Sequence, residues 1–250
     1  MIALITGATS GIGKASAEIF AKHGYDLIIT GRRADRLKSI SEELKKQFKV
    51  KIHTLCFDVR KAEEVKSTIA SIPAEFRNID VLLNNAGLAS GSSTIQEGNI
   101  DDWEKMIDTN VKGLLFITRE VSPLMIARKK GHIINVGSLA GKEVYANGNV
   151  YCASKHAVDA LNKAMRIDLL PYGIKVSAVS PGMVETEFSV VRFHGDETRA
   201  KKVYEGMQPL TAEDIAETIY WMASRPAHVN INDVIITSID QANTTTVLRK

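Results

Sequence analysis

Apolar residues along the chain fall into two alternating patterns. Short runs of mainly aliphatic and β-branched residues occur at Ile2–Thr6, Asp26–Thr30, Lys51–Phe57, Val81–Asn84, His132–Val136, Lys175–Ser180 and Val234–Ile239. Between them lie longer stretches with apolar residues at helical spacing, at Ala15–His23, Arg36–Phe48, Glu63–Ile72, Trp103–Arg128, Ala153–Leu170 and Ala212–Ala223. Strand followed by helix, repeated, is the signature of βαβ units and a parallel sheet. Several of the strand runs are apolar almost throughout, which fits strands covered by helices on both faces. The pattern predicts an α/β fold, a doubly wound, Rossmann-type seven-stranded parallel sheet with helices on both faces.

The rhythm is not interrupted by a linker, so residues 1–250 read as one domain. The turn-rich stretch Gly87–Gly98 is short enough for a loop within it. The segment after Pro181 is the longest that the rhythm leaves unexplained. A doubly wound fold keeps its ligand crevice beyond the carboxyl ends of the strands, so a substrate lid is expected around residues 183–205. Composition changes the picture only by exclusion. At 44% hydrophobic and 24% charged residues the balance is that of a globular chain. A net charge of +3 over 250 residues is too weak an attractor for nucleic acid, and the basic clusters Arg128–Lys130 and Arg199–Lys202 read as solvated helix ends. No apolar stretch approaches the roughly 18–20 residues that span a bilayer. The amino terminus runs straight into the first strand without a leader pattern, and the carboxyl terminus matches no retention or lipidation signal, so a soluble cytoplasmic protein is expected. Cys56 and Cys152 are too few for a disulfide framework and read as reduced thiols. The six histidines form no H-E-x-x-H or similar cluster, so no catalytic metal is expected.

The first strand runs into Thr6-Gly-Ala-Thr-Ser-Gly-Ile-Gly13, and a helical pattern follows. Glycines at such a turn let the backbone approach a pyrophosphate, while the helix N-terminus supplies free N–H groups and a positive dipole end. Gly7, Thr9, Ser10, Gly11, Ile12 and Gly13 are therefore candidate cofactor contacts. An NAD site places an acid about 20 residues further on, against the ribose 2′-hydroxyl. Here the second strand ends in Thr30-Gly-Arg32-Arg33, and Asp26 lies at its other end. A guanidinium fork suits a 2′-phosphate, so Arg32 and Arg33 point to NADP; their competing role is to solvate a loop. Asp58 and Val59, after the third strand, are candidates for the adenine, and Asn85, Ala86 and Gly87 follow the fourth.

Tyr151 and Lys155 stand four residues apart at the opening of a helical segment, on one face. A free phenol, with a pKa of about 10, is a poor acid–base catalyst at neutral pH, and a neighbouring ammonium favours the phenolate. Ser138, at the end of the preceding strand in Asn135-Val-Gly-Ser138, is placed to reach the same crevice.

The ordered set Thr-Gly-x-x-x-Gly-Ile-Gly, Asn-Asn-Ala-Gly, Ser138 and Tyr-x-x-x-Lys resembles the short-chain dehydrogenase/reductase family, and the resemblance covers essentially the whole chain. It implies a catalytic tetrad of Asn110, Ser138, Tyr151 and Lys155, with hydride transfer at a carbinol carbon. Tyr151 would protonate the nascent alkoxide, Ser138 hydrogen-bond the carbonyl oxygen, Lys155 lower the tyrosine pKa and hold the nicotinamide ribose, and Asn110 position a water. Pro181 and Gly182, with Val184 and Thr186 beyond them, resemble the family segment that contacts the nicotinamide carboxamide. A homotetramer, with the helices near 101–128 and 152–170 at an interface, is a further implication.

Within that family the stretches Ile-Thr-Gly-Arg-Arg-Ala-Asp-Arg-Leu and Val-Arg-Phe-His-Gly-Asp look most like the NADP-dependent 3-hydroxy acid dehydrogenases. The resemblance implies a short 3-hydroxy acid such as serine, L-allo-threonine or 3-hydroxypropionate, interconverted with its 3-oxo acid or semialdehyde. A carboxylate needs a cation in the pocket, and Arg192 in the lid is the candidate anchor, with a plain surface arginine as the alternative. Tyr145 is a candidate pocket residue, with packing as its alternative. A sulfonate carbonyl such as sulfoacetaldehyde would also need a cation there. A non-catalytic dinucleotide-binding regulator is the reading from a different class, but Ser138, Tyr151 and Lys155 are all present.

Overall fold

The computed structural model describes residues 1–250. Seven strands, β1 (Ile2–Ile5), β2 (Asp26–Gly31), β3 (Ile52–Cys56), β4 (Ile79–Asn84), β5 (Gly131–Val136), β6 (Ile174–Pro181) and β7 (Asp233–Ile236), form one parallel sheet in the order β3-β2-β1-β4-β5-β6-β7. Side chains alternate across it, as a strand requires. Ile2, Leu4, Ile28, Leu82 and Ile133 enter one core, while Ala3, Ile5, Leu27, Ile29, Leu83 and Ile134 enter the other.

The helices are α1 (Gly11–Lys22), α2 (Ala34–Phe48), α3 (Ala62–Ala70), α4 (Ile100–Ile107), α5 (Leu114–Arg128), α6 (Asn149–Leu169), α7 (Phe188–Arg192), α8 (Glu197–Lys202) and α9 (Ala212–Ala223). One core is closed by Val65 of α3, Ile117 and Val121 of α5, and Val158 and Met165 of α6. The other is closed by Phe20 of α1, Leu37 and Leu44 of α2, and Ile215 and Ile219 of α9. Each strand run of the sequence reading becomes a strand.

The helix readings need two corrections. The pattern over Trp103–Arg128 predicts one helix, whereas α4 and α5 are separated by a π-helical turn at Asp108–Gly113. Apolar spacing does not register one widened turn inside a continuous helical path, and such bulges recur at functional sites. Here the turn holds Asn110. Second, α6 begins at Asn149, not Ala153, which puts Tyr151 within its first turn. The segment 183–205, for which a lid is expected (hereafter the lid segment, or lid), contains α7 and α8 and is tied to the body by a parallel bridge between Val184 and Leu210.

Candidate active site

Strand order reverses between β1 and β4, and the crevice of a doubly wound sheet opens at such a switch point. A cleft of about 490 Å³ lies there, running from Arg32 and Asp58 at one end to Tyr151 and Arg192 at the other. Thr6 holds its floor together: its Oγ1 donates to the Leu83 carbonyl (3.2 Å) and accepts the N–H groups of Asn85 and Ala86, each at 3.0 Å. Asn85 completes the link by donating from Nδ2 to the carbonyls of Thr6 (2.9 Å) and Gly7 (3.2 Å).

The glycine turn fits a pyrophosphate. Gly7 and Gly11 have φ of +67° and +51°, a region that side chains disfavour. A Cβ at Gly13 would stand 2.3 Å from the Gly7 carbonyl oxygen, so only glycine lets α1 start this close to the turn. Thr9, Ser10, Gly11 and Ile12 line the cleft, as do Ala86, Gly87, Pro181, Gly182, Val184 and Thr186.

At the far end Arg33 is fully engaged. Its Nε and one terminal nitrogen donate to Thr9 Oγ1 (3.2 and 2.9 Å), the same terminal nitrogen donates to Ser10 Oγ (2.9 Å), and the other donates to Glu187 (3.0 Å). Arg32 is exposed on the cleft wall. Burial raises the Asp58 carboxyl, but the hydrogen bonds from Arg60 and the charge of Arg32 hold it below its ordinary range. Asp58 thus lines the wall beside Val59 with its carboxylate turned onto Arg60.

At the other end Ser138, Tyr151 and Lys155 converge, each no more than 9% exposed. Ser138 Oγ accepts the Ala140 N–H at 3.1 Å, which leaves its own hydrogen free to donate. Burial pushes the Tyr151 phenol up; the Ser138 hydrogen bond and the Arg192 charge pull it the other way. Lys155 donates from Nζ to the Val136 carbonyl at 2.9 Å, and desolvation pulls its pKa down to about 8. Asn110 is buried, and its side chain is engaged by three neighbouring groups. Nδ2 donates to the Leu88 carbonyl (2.8 Å) and Ser154 Oγ (3.0 Å), and Oδ1 accepts the Leu88 N–H (2.8 Å). A Cβ at Gly87 would lie 3.2 Å from Asn110 Oδ1 and 3.6 Å from Lys155 Nζ, so the glycine keeps the space between them open.

Arg192 reaches back from the lid. Its Cζ lies 6.0 Å from the centre of the Tyr151 ring and 5.4 Å from that of Tyr145, whose hydroxyl accepts from it at 2.9 Å. Phe188, also on the lid, packs its ring edge-on to Tyr151 at 5.7 Å. Sequence reasoning missed Phe188, Glu187 and the pair that fastens the lid tip, His194 Nε2 to Asp102 Oδ2 at 3.1 Å. Nothing local marks these, because each partner lies far away along the chain. It also missed Gln241, whose Oε1 accepts the Met183 N–H at 2.8 Å and would stand 2.1 Å from a Cβ at Gly182. Cys152 is buried and His156 bonds the Cys152 carbonyl, away from the cleft. No group of three or more His, Cys, Asp or Glu is placed to hold a metal, and no helix is long and apolar enough to cross a membrane.

A glycine-turn crevice ending in a buried tyrosine, lysine and serine defines a dinucleotide-dependent oxidoreductase of Rossmann type. More specifically, the chain belongs to the short chain dehydrogenase family, whose profile matches residues 1–196. It is 46% identical over 243 residues to the NADP-dependent 3-hydroxy acid dehydrogenase of Salmonella typhi, covering 97% of this chain and 96% of the relative. It is 44% identical over 239 residues to the serine 3-dehydrogenase of Rhizobium radiobacter, covering 96% and 94%. Among solved structures, the closed form of serine dehydrogenase complexed with NADP+ superposes with a TM-score of 0.94 at 43% identity, covering all of both chains. The Escherichia coli serine dehydrogenase superposes at 0.84 with 40% identity, over 97% of this chain and 100% of the other.

Proposed function

We propose that this protein interconverts a short 3-hydroxy acid and the corresponding 3-oxo acid or semialdehyde, with NADP as its cofactor. The observation that carries the substrate is the Arg192 guanidinium, held 6.0 Å from the Tyr151 ring inside the cleft that begins at the glycine turn. A guanidinium fork matches a carboxylate, and anchoring the acid there brings its third carbon toward the phenol. The names of the relatives, 3-hydroxy acid dehydrogenase and serine 3-dehydrogenase, support the same reading.

NADPH, when bound, supplies the hydride, and NADP+ accepts it in the reverse direction. Gly7, Gly11 and Gly13 would hold its pyrophosphate, Arg32 and Arg33 its 2′-phosphate, and Lys155 its nicotinamide ribose. In reduction Tyr151 donates its proton to the substrate oxygen, a role suited to a phenol that burial keeps protonated. Ser138 Oγ donates to the same oxygen and steadies the charge that develops on it. In oxidation Tyr151 must take a proton instead, and the Ser138 hydrogen bond and Arg192 charge favour that phenolate. Asn110 fixes Leu88 and Ser154, and with them the wall against which Lys155 lies.

A cytoplasmic homotetramer belongs to this reading. Exposed Ile100 and Leu115 near the α4–α5 segment, and Ile167 and Leu170 at the end of α6, give faces for further copies, which light scattering would test. The test of function is initial rates of NADP+ and NAD+ reduction with L-serine, L-allo-threonine, 3-hydroxypropionate and neutral alcohols. Turnover of the acids with NADP+ and little with NAD+ is expected. Activity confined to the neutral alcohols would remove the carboxylate anchor and keep the oxidoreductase chemistry.

A further inference from the structure

The nucleotide end of the cleft carries a carboxylate where an anion-binding site would be expected to hold only cations. Glu187 sits immediately before α7, at the root of the lid, and its two oxygens grip two arginines across from it, Arg33 of the cleft wall and Arg36 just behind it on α2. Oε2 accepts from Arg33 at 3.0 Å, and Oε1 accepts from Arg36 at 2.6 Å. Arg33 just precedes α2 and Arg36 lies in its first turn, so one side chain bridges the lid to the strand-end segment that would read the cofactor. The rest of the Arg33 guanidinium is taken by Thr9 and Ser10. Neither Arg192 nor His194, which fasten the lid at its substrate end, touches this cluster.

We propose that Glu187 stands in for the cofactor's 2′-phosphate: it competes with that group for Arg33 and Arg36, so that arrival of the phosphate releases the root of the lid. The inference rests on the NADP reading above. Its physical basis is an exchange of one anion for another on the same two guanidinium groups. The Glu187 side chain is 45% exposed, and those of Arg33 and Arg36 are 39% and 42% exposed, so the bridge is half-solvated and yields readily. A phosphate brings up to two negative charges and three acceptor oxygens to the same donors, and makes the stronger charge-assisted bonds. Glu187 therefore lowers the advantage of the phosphorylated cofactor below what Arg32, Arg33 and Arg36 would confer alone. It is a specificity-determining residue that acts by opposing the preferred ligand.

Adenosine 2′,5′-bisphosphate and 5′-AMP differ by the 2′-phosphate alone and carry no redox centre, so calorimetric titration of wild type and Glu187→Gln with both isolates the effect. The wild-type protein is expected to bind the bisphosphate more tightly than 5′-AMP. In Glu187→Gln the bisphosphate should tighten by about three- to tenfold, a gain that shrinks in high salt, while 5′-AMP stays within about twofold. Unchanged or weaker bisphosphate binding in the variant, or equal tightening of both ligands, would overturn the assignment while leaving the cofactor reading intact. Wild-type protein that bound the two ligands alike would overturn the cofactor reading, and this inference with it.

Discussion

Ser138, Tyr151 and Lys155, on the sheet side of the cleft, are buried and sit on a strand end and a 21-residue helix, with Lys155 and Ser138 bonded to backbone groups. Glu187, Arg192 and His194, on the lid side, are only partly buried or exposed and are held mainly by side chains that come from distant parts of the chain. One wall is positioned by the core of the domain and the other by a handful of polar contacts. The difference assigns labour: acid–base chemistry needs geometry fixed to a fraction of an ångström, while recognition of one acid among several can reside on a segment that is cheaply rearranged. It also says where variation should fall, because a changed lid contact leaves the proton-transfer machinery standing.

The comparison breaks most sharply at Tyr151. Replacing it with Phe removes the proton donor but leaves the ring packed against Phe188, so turnover should fall by about 10³-fold or more while NADPH affinity stays within about twofold. Fluorescence titration beside steady-state kinetics checks both, and wild-type-like turnover would sink the sheet-side assignment. Arg192→Ala is the matching lid change and should raise KM for a 3-hydroxy acid by roughly 10- to 100-fold, leaving KM for NADP+ alone.

A pH experiment separates the walls further. Burial pulls the Lys155 pKa to about 8 in the folded protein, against an ordinary value of 10.5. Between those values the unfolded chain binds the extra proton, so this group's contribution to stability rises with pH across the window. Its full extent is up to about 3 kcal/mol, and the cost of burying the charge is fully present below pH 8. Denaturant unfolding at pH 7.5 and 9.5, which spans part of that window, should show a gain of about 2 kcal/mol in wild type and lose it in Lys155→Met; parallel slopes would contradict it. The smallest effect is expected at His194, which has φ of +54° and one bond to Asp102. Asn tolerates that backbone, so His194→Asn should raise KM for the acid by less than about threefold with kcat unchanged, as steady-state kinetics would show.

The same division governs what could be read from residue order. The central strands were legible because a strand buried on both faces leaves an unbroken apolar run, as in Leu27–Ile29 and Val81–Leu83, while the edge strands β3 and β7 were legible from their β-branched residues and their place in the rhythm. Tyr151, Lys155 and the glycine turn were legible because their roles depend on spacing within one element. The π-helical turn at Asn110 was not, since widening one turn leaves the apolar pattern of Trp103–Arg128 undisturbed. Nor do the contacts of the Asn110 amide with Leu88 and Ser154, partners 22 and 44 residues away, leave any mark in the residue order. Glu187 with Arg33 and Arg36, and His194 with Asp102, were invisible for the same reason: a charge in a polar loop looks solvated until the fold brings its partner over. Arg192 was singled out only because a carboxylate substrate demanded a cation.

The central claim is that the sheet wall carries the chemistry and the lid carries the preference for an acid. Its most direct test is kcat/KM for 3-hydroxypropionate and for its methyl ester, which lacks the charge, in wild type, Tyr151→Phe and Arg192→Ala. The account predicts that Tyr151→Phe loses both activities alike, whereas Arg192→Ala loses the acid and keeps the ester. An Arg192→Ala enzyme that lost both equally, or neither, would contradict it.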